Sequence, residues 1–154
     1  MFTISGIVHG CAQNPYVYVI VKSYCIYIGE TQRHPVSRWG QHLSQHGTFN
    51  CKLREADECV WRSAEEIFFY CAKCNMVLSA SPEEHKIVTQ YIEHKLHELC
   101  ILNINKIRPI EKILSDTSRT APPRCRYVWA DKLAEEIFNS IVDKIREWET
   151  SKTC

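Results

Sequence analysis

Residues 16–42 read YVYVIVKSYCIYIGETQRHPVSRWGQH, and the fold expected for this chain turns on them. Residues 16–21 are an unbroken run of β-branched and aromatic side chains, the composition of a strand. Lys22, Ser23 and Tyr24 form a short polar break. Residues 25–29 make a second strand that ends at a glycine. Two such runs across a short break predict an antiparallel hairpin. Gly29 lets another group approach the backbone closely. Pro35 suits a helical first turn, so a helix is expected from there to about His46, with Gly47 just past its end. Tyr18 and Tyr27 sit on the paired strands and can meet across the hairpin. Arg38 and His42 are four apart and share a helix face. Two phenols, a guanidinium and an imidazole can therefore converge on one spot.

Downstream, residues 66–72 (EIFFYCA) are apolar on both alternating faces, which predicts a covered, central strand. A short helix is expected around 53–58. Ser81-Pro82-Glu83-Glu84 has the pattern of a capped helix start, and the helix should run to about Leu99. Its expected buried stripe is Ile87, Tyr91, Ile92, Leu96 and Leu99. Glu93 lies beside that stripe yet is charged, which suits a side chain projecting from a core helix into a cleft. Residues 100–106 should be irregular and 107–114 a short helix. Residues 116–126, rich in Ser, Thr and Pro, read as a surface linker. Leu133, Ile137, Ile141, Ile145 and Trp148 recur every three or four residues, so 130–149 should be a long amphipathic helix. Residues 2–9 alternate weakly and could add an edge strand.

The fold class expected is therefore α+β. A small three-stranded antiparallel sheet (16–21, 25–29, 66–72) is flanked by helices, with an amphipathic helix at the C-terminal end. Residues 1–115 form the core with its N-terminal segment, and 116–154 form the linker and last helix. That helix must bury its stripe either on the core or against a second copy or partner protein.

The 154 residues support one core, and the composition is that of an ordinary globular domain. No uninterrupted apolar run is long enough to span a bilayer, and residues 1–10 lack the pattern of a signal peptide. Without that pattern a cytoplasmic protein is expected, with its nine cysteines as reduced thiols. Cys71 and Cys74 form a lone CxxC, too little by itself for a zinc or redox motif. The net charge is +1, which argues against a protein that coats itself in nucleic acid. Segregation of charge can still leave a basic face: Arg33, His34, Arg38 and His42 cluster near the hairpin, with acid concentrated at 55–66 and 135–149. Lys22, Arg33 and Lys106 are candidate contacts to a nucleic-acid backbone.

Val17-Tyr18 and Tyr27-Ile28-Gly29, followed by Arg38 eleven residues after Tyr27 and His42 four beyond, resemble the core of the GIY-YIG nuclease family. Glu93 on a helix and Asn105 twelve residues later match the second half of that pattern. The resemblance spans about 16–106. It departs from the family in the first motif, where Tyr16-Val17-Tyr18 replaces Gly-Ile-Tyr and the gap to Tyr27 is slightly short. The resemblance implies a metal-dependent endonuclease that hydrolyses phosphodiester bonds, with DNA the first substrate to test. It implies one Mg²⁺ or Mn²⁺ held by Glu93, phosphate binding by Arg38, and Tyr18 as general base. Tyr27 and His42 would orient the water or share its proton. Asn105 would position Glu93, with Asn103 the rival position. Two other readings stay open: a catalytically silent nucleic-acid-binding or interaction module of the same fold, and a zinc or redox protein using Cys71 and Cys74.

Overall fold

The computed structural model describes residues 13–116 and 123–152. Its centre is β1 (Gln13–Lys22), buried at every residue from Asn14 onward. A strand with apolar side chains on both faces must be covered on both faces, so it takes a middle place in the sheet. β2 (Cys25–Arg33) returns antiparallel to it through a tight turn, with Ser23 in the left-handed region at φ 52°. β3 (Ile67–Lys73) pairs antiparallel on the other side of β1. β4 (Lys112–Ile113) pairs parallel with Cys25 and Ile26.

The sheet is therefore four-stranded and mixed, in the order β3-β1-β2-β4, and the expected three-stranded antiparallel sheet is corrected. The physical cause is the outer edge of β2, whose backbone groups need partners. The segment expected as a helix at 107–114 supplies them. Leu114 N–H donates to Ile26 O at 2.7 Å, and Glu111 and Lys112 N–H both donate to Tyr24 O. The α+β class stands.

The two sheet faces build two cores. Val17, Val19, Val21, Ile26 and Ile28 pack against α4 (His85–Leu102) and α5 (Trp129–Ser151). Tyr18, Ile20 and Cys25 pack on the opposite face with Phe49 and Leu53 of α2 (Thr48–Ala56) and Val60 of α3 (Glu58–Arg62). α1 (Pro35–Leu43) leads from β2 into that second layer. The last helix lays Ala134, Ile137, Ile141 and Ile145 into the first core, so its apolar stripe is covered within the chain.

Other boundaries shift for local reasons. α1 stops at Leu43, because Gly47 closes back onto it. Ser81 does not cap with its side chain; Pro82–Glu84 form a 3-10 turn before α4, and the Glu84 carboxylate is occupied by Arg126 and Tyr127. The buried stripe of α4 is Val88, Ile92, Leu96 and Cys100, one position round from the expected one, with Ile87 46% exposed. α4 faces both the sheet and α5, so the stripe follows the bisector between them. It runs on to Leu102, and a 3-10 turn follows at Ile104–Lys106 where irregular chain was expected. The edge strand expected at 2–9 and residues 117–122 of the linker lie outside the described residues. Among those described, no helix is long and apolar enough to cross a membrane.

Candidate active site

The hairpin places Tyr18 opposite Gly29, and Tyr27 opposite Ile20. The two tyrosines are thus diagonal neighbours on one face rather than a direct pair. The Tyr18 ring lies across the Gly29 backbone: a Cβ built there would fall 2.5 Å from both Cζ and Oη of Tyr18. Any side chain at this position would have to displace the Tyr18 phenol. The ring reaches His42, whose Nε2 stands 2.7 Å from Tyr18 Oη, and Tyr27 packs on the same imidazole with ring centroids 4.7 Å apart.

His42 is 2% exposed and held from behind. Phe49 N–H donates to its Nδ1 at 3.4 Å. The Gly47 backbone presses so closely that a Cβ there would fall 2.2 Å from His42 O. With the Nδ1 lone pair taken, the ring proton of the neutral imidazole sits on Nε2 and is donated to Tyr18 Oη. Burial, with help from the Arg38 charge, pushes the His42 pKa down to about 4 and keeps the ring neutral at pH 7.

Arg38 reaches the same place from α1. Burial raises the Tyr18 pKa, and Tyr27 raises it further, while the charge and hydrogen bonding of Arg38 oppose both. Tyr27 is likewise raised by burial and by Glu93, against Arg38. Arg38 Nη1 also donates to Gln41 Oε1 at 2.7 Å, which orients the guanidinium.

Glu93 enters from α4. That helix runs antiparallel to β2, and side-chain bonds mark the alignment. Gln32 Nε2 donates to Thr89 Oγ1 at 3.0 Å, and one turn along α4 the Glu93 position faces Glu30. Two residues of strand advance about 6.6 Å and four of helix about 6 Å, so successive rungs stay in step. Burial first, then the Glu30 carboxylate, pushes the Glu93 pKa up to about 8, with Arg38 opposing. The Glu93 carboxylate has no hydrogen-bond or ion-pair partner among the described residues. A half-buried carboxylate paired with no cation, within electrostatic reach of a second carboxylate and of Arg38, offers hard oxygen donors of the kind Mg²⁺ or Mn²⁺ takes. No cluster of three or more His, Cys, Asp or Glu able to hold an ion occurs among the described residues. An ion held here would therefore keep water or substrate oxygens in its shell, as Mg²⁺ commonly does.

Glu30 was missed in the sequence. The signal was available: it follows Ile26 and Ile28 at two-residue steps, so it is a charge placed on an apolar strand face. A second missed feature joins the two site elements. Ile28 N–H donates to Ser115 Oγ at 2.9 Å, and Ser115 Oγ–H donates to His97 Nε2 at 2.6 Å. His97 Nδ1–H donates in turn to Glu93 O at 2.9 Å. This chain of bonds fixes β2 beside Gly29 to α4 at Glu93. His97 therefore holds the Glu93 backbone rather than pairing with its carboxylate.

Other candidates are placed elsewhere. Asn105 is exposed, past the end of α4. Nine residues of helix, about 14 Å along the axis, separate Glu93 from Leu102, and Asn105 follows in the next turn. Lys106 is at the same far end, and Asn103 Nδ2 donates to Leu99 O as a helix terminator. Lys22 is corrected: it is 6% exposed, and its Nζ donates to Trp61 O and Ser63 O at 3.1 and 2.8 Å. Those carbonyls end α3, so the ammonium is spent inside the fold and offers nothing to a surface ligand. Arg33 stays exposed, at the end of β2. Cys71 and Cys74 belong to different cores, and burial raises both thiol pKa values, Cys74 to about 12. That disfavours the thiolate that metal binding and redox exchange need.

Comparison with family models, with curated proteins and with solved structures returns no match. The functional reading therefore rests on the geometry of Tyr18, Tyr27, Glu30, Arg38, His42 and Glu93.

Proposed function

We propose that the chain is a metal-dependent endonuclease of GIY-YIG type, hydrolysing phosphodiester bonds of nucleic acid, with DNA the first substrate to test. One observation carries it. Side chains as far apart in sequence as Tyr18 and Glu93 share one electrostatic neighbourhood, with the Tyr18 hydroxyl aligned on His42.

Each residue has a role that its surroundings support. Arg38 binds the scissile phosphate, whose planar arrays of oxygens match a guanidinium, and it stabilises the charge that grows there. Tyr18, once its own phenol proton has passed to solvent, accepts the proton of the attacking water as the new P–O bond forms; the old P–O bond breaks and the leaving oxygen takes a proton from solvent. His42 donates from Nε2 to Tyr18 Oη, a bond that strengthens when the oxygen becomes phenolate. His42 is thus a positioning residue and not the base, because its lone pair is engaged by Phe49. Tyr27 walls the same imidazole. Glu93, with Glu30 beside it, would hold Mg²⁺ or Mn²⁺, which when bound supplies positive charge against the leaving oxygen. Burial and the neighbouring Tyr27 keep Tyr18 a neutral phenol, with the charge and hydrogen bonding of Arg38 opposing them; a cation held at Glu93 would favour the phenolate further.

The test is cleavage of supercoiled plasmid and of branched or single-stranded DNA, with Mg²⁺ or Mn²⁺ and with chelator, alongside Glu93→Gln and Tyr18→Phe. Metal-dependent cutting that both substitutions abolish is the expected result. Absence of cutting by the native chain on every substrate would replace this reading with a silent module of the same fold.

A further inference from the structure

We infer that the cavity between the end of β2 and the start of α4 is a phosphate subsite, gripping the nucleic-acid strand beside the bond that is cut. The inference rests on the nuclease reading for the identity of the strand. The cavity is about 410 Å³, and its polar lining includes Gln13, Asn14, Gln32, Arg33, His85 and Lys86. It contains no Asp or Glu. That is unusual for a chain with 19 Lys and Arg against 18 Asp and Glu. Other surface cavities of the described residues mix the signs: Lys52 and Lys112 with Glu55 and Asp116 in one, Arg146 with Asp143 and Glu147 in another.

The cations here are available. Arg33 and Lys86 are exposed, and neither has a carboxylate within ion-pair distance among the described residues. His85 donates from Nε2 to Ala80 O at 3.0 Å, which pins its ring at the cavity wall. The nearby Glu84 carboxylate is engaged by Arg126 and Tyr127. A guanidinium, an ammonium and the side-chain amides of Gln13 and Asn14 around a concavity match a phosphodiester: one diffuse negative charge with several acceptor oxygens.

The cavity also joins the candidate active site. Gln32 lines it, and donates from Nε2 to Thr89 Oγ1 and, at 3.4 Å, to Glu30 Oε2. Glu30 to Arg33 is three residues of strand, about 10 Å. At roughly 3.4 Å of rise per nucleotide, that puts the gripped phosphate within about three nucleotides of the scissile one. A near-neutral chain can thus hold a strand by concentrating its positive charge where the strand must lie.

The test is binding of fluorescein-labelled single-stranded DNA and RNA, and of duplex DNA, by anisotropy over a salt series in chelator. The native chain is compared with Arg33→Gln/Lys86→Gln. A control double variant, Lys132→Gln/Lys144→Gln on α5, removes the same charge elsewhere. The subsite predicts that the first pair lowers the slope of log affinity against log salt by about 1.8 on duplex, or about 1.4 on single strands. The control pair should leave the slope unchanged. Equal slopes for the native chain and the Arg33/Lys86 variant, equal losses in both variants, or no binding by the native chain would each overturn it. Cleavage is scored separately with Glu93→Gln. Binding that follows the prediction without cleavage would sink the nuclease and keep the subsite; normal cleavage and binding in the Arg33/Lys86 variant would do the reverse.

Discussion

Glu93→Gln should make this protein more stable at neutral pH, by an amount set by the burial of the carboxylate. An acid whose folded pKa lies above its unfolded one binds more protons when folded, so folding weakens as pH rises between the two values. For Glu93 the interval runs from the ordinary 4.5 to about 8. Each pH unit inside it is worth about 1.4 kcal/mol. At pH 7 the carboxyl has crossed 7 − 4.5 = 2.5 units of the interval, or about 3 kcal/mol. Glutamine keeps the shape of the neutral acid and cannot ionise. The variant should therefore match the native chain near pH 4.5 and exceed it by about 3 kcal/mol at pH 7. For a domain of this size that is a rise in Tm of roughly 6–12 °C. Thermal and urea melts of both proteins from pH 4.5 to 8.5 would measure it. Adding Mg²⁺ or Mn²⁺ at pH 7 should recover part of the difference in the native chain only, because a bound cation favours the ionised form. Superimposable pH profiles would refute the reasoning: Glu93 would then be a solvated helix glutamate, and the cleft in which a metal could be held would be lost with it.

Three further outcomes follow from the same contacts. Gly29→Ala must displace the Tyr18 ring, since the new Cβ would fall 2.5 Å from its Oη; cleavage should drop far more than stability, which overpacking against a movable phenol should lower by about 1–3 kcal/mol. Equal cleavage by this variant would mean that the Tyr18 position is not the reacting one. Ser115→Ala leaves the Ile28 N–H and His97 Nε2 without their partner; a loss of about 1–3 kcal/mol in denaturant melts, with faster hydrogen exchange at Ile28, is expected. The folded pKa of His42 lies below its unfolded 6.5, at about 4, so stability is present above 6.5 and is lost as pH falls from 6.5 toward 4. Measured in the Glu93→Gln background, where the opposing carboxyl titration is gone, the loss should reach about 3 kcal/mol, and His42→Gln should flatten it.

Much of the hairpin was legible because its signals are local. The apolar runs around Ser23, the glycine at 29 and the proline at 35 each act through the backbone of a few neighbouring residues. Periodicity likewise marked α4 and α5 without knowing what they pack on. The offsets from Tyr27 to Arg38 and His42 were also readable, since a strand, a turn and one helix carry all three. Lys22 was misplaced because a sequence cannot tell a lysine facing solvent from one that reaches carbonyls at 61 and 63. The 107–114 segment was misread as helix because its strand character comes from the unpaired edge of β2, a partner more than eighty residues away in the chain.

By itself, then, the sequence determined the α+β class, the hairpin and the set of polar residues worth testing. Only the tertiary structure decided which of them meet. Antiparallel alignment of β2 with α4 brings Glu30 beside Glu93, and the Ser115–His97 bonds lock that alignment. The packing of α2 against α1 turns Phe49 N–H onto His42 and so chooses which nitrogen faces Tyr18. These are long-range contacts whose energies depend on burial and on the direction of hydrogen bonds. Neither quantity exists until the sheet, the two helical layers and their loops are assembled.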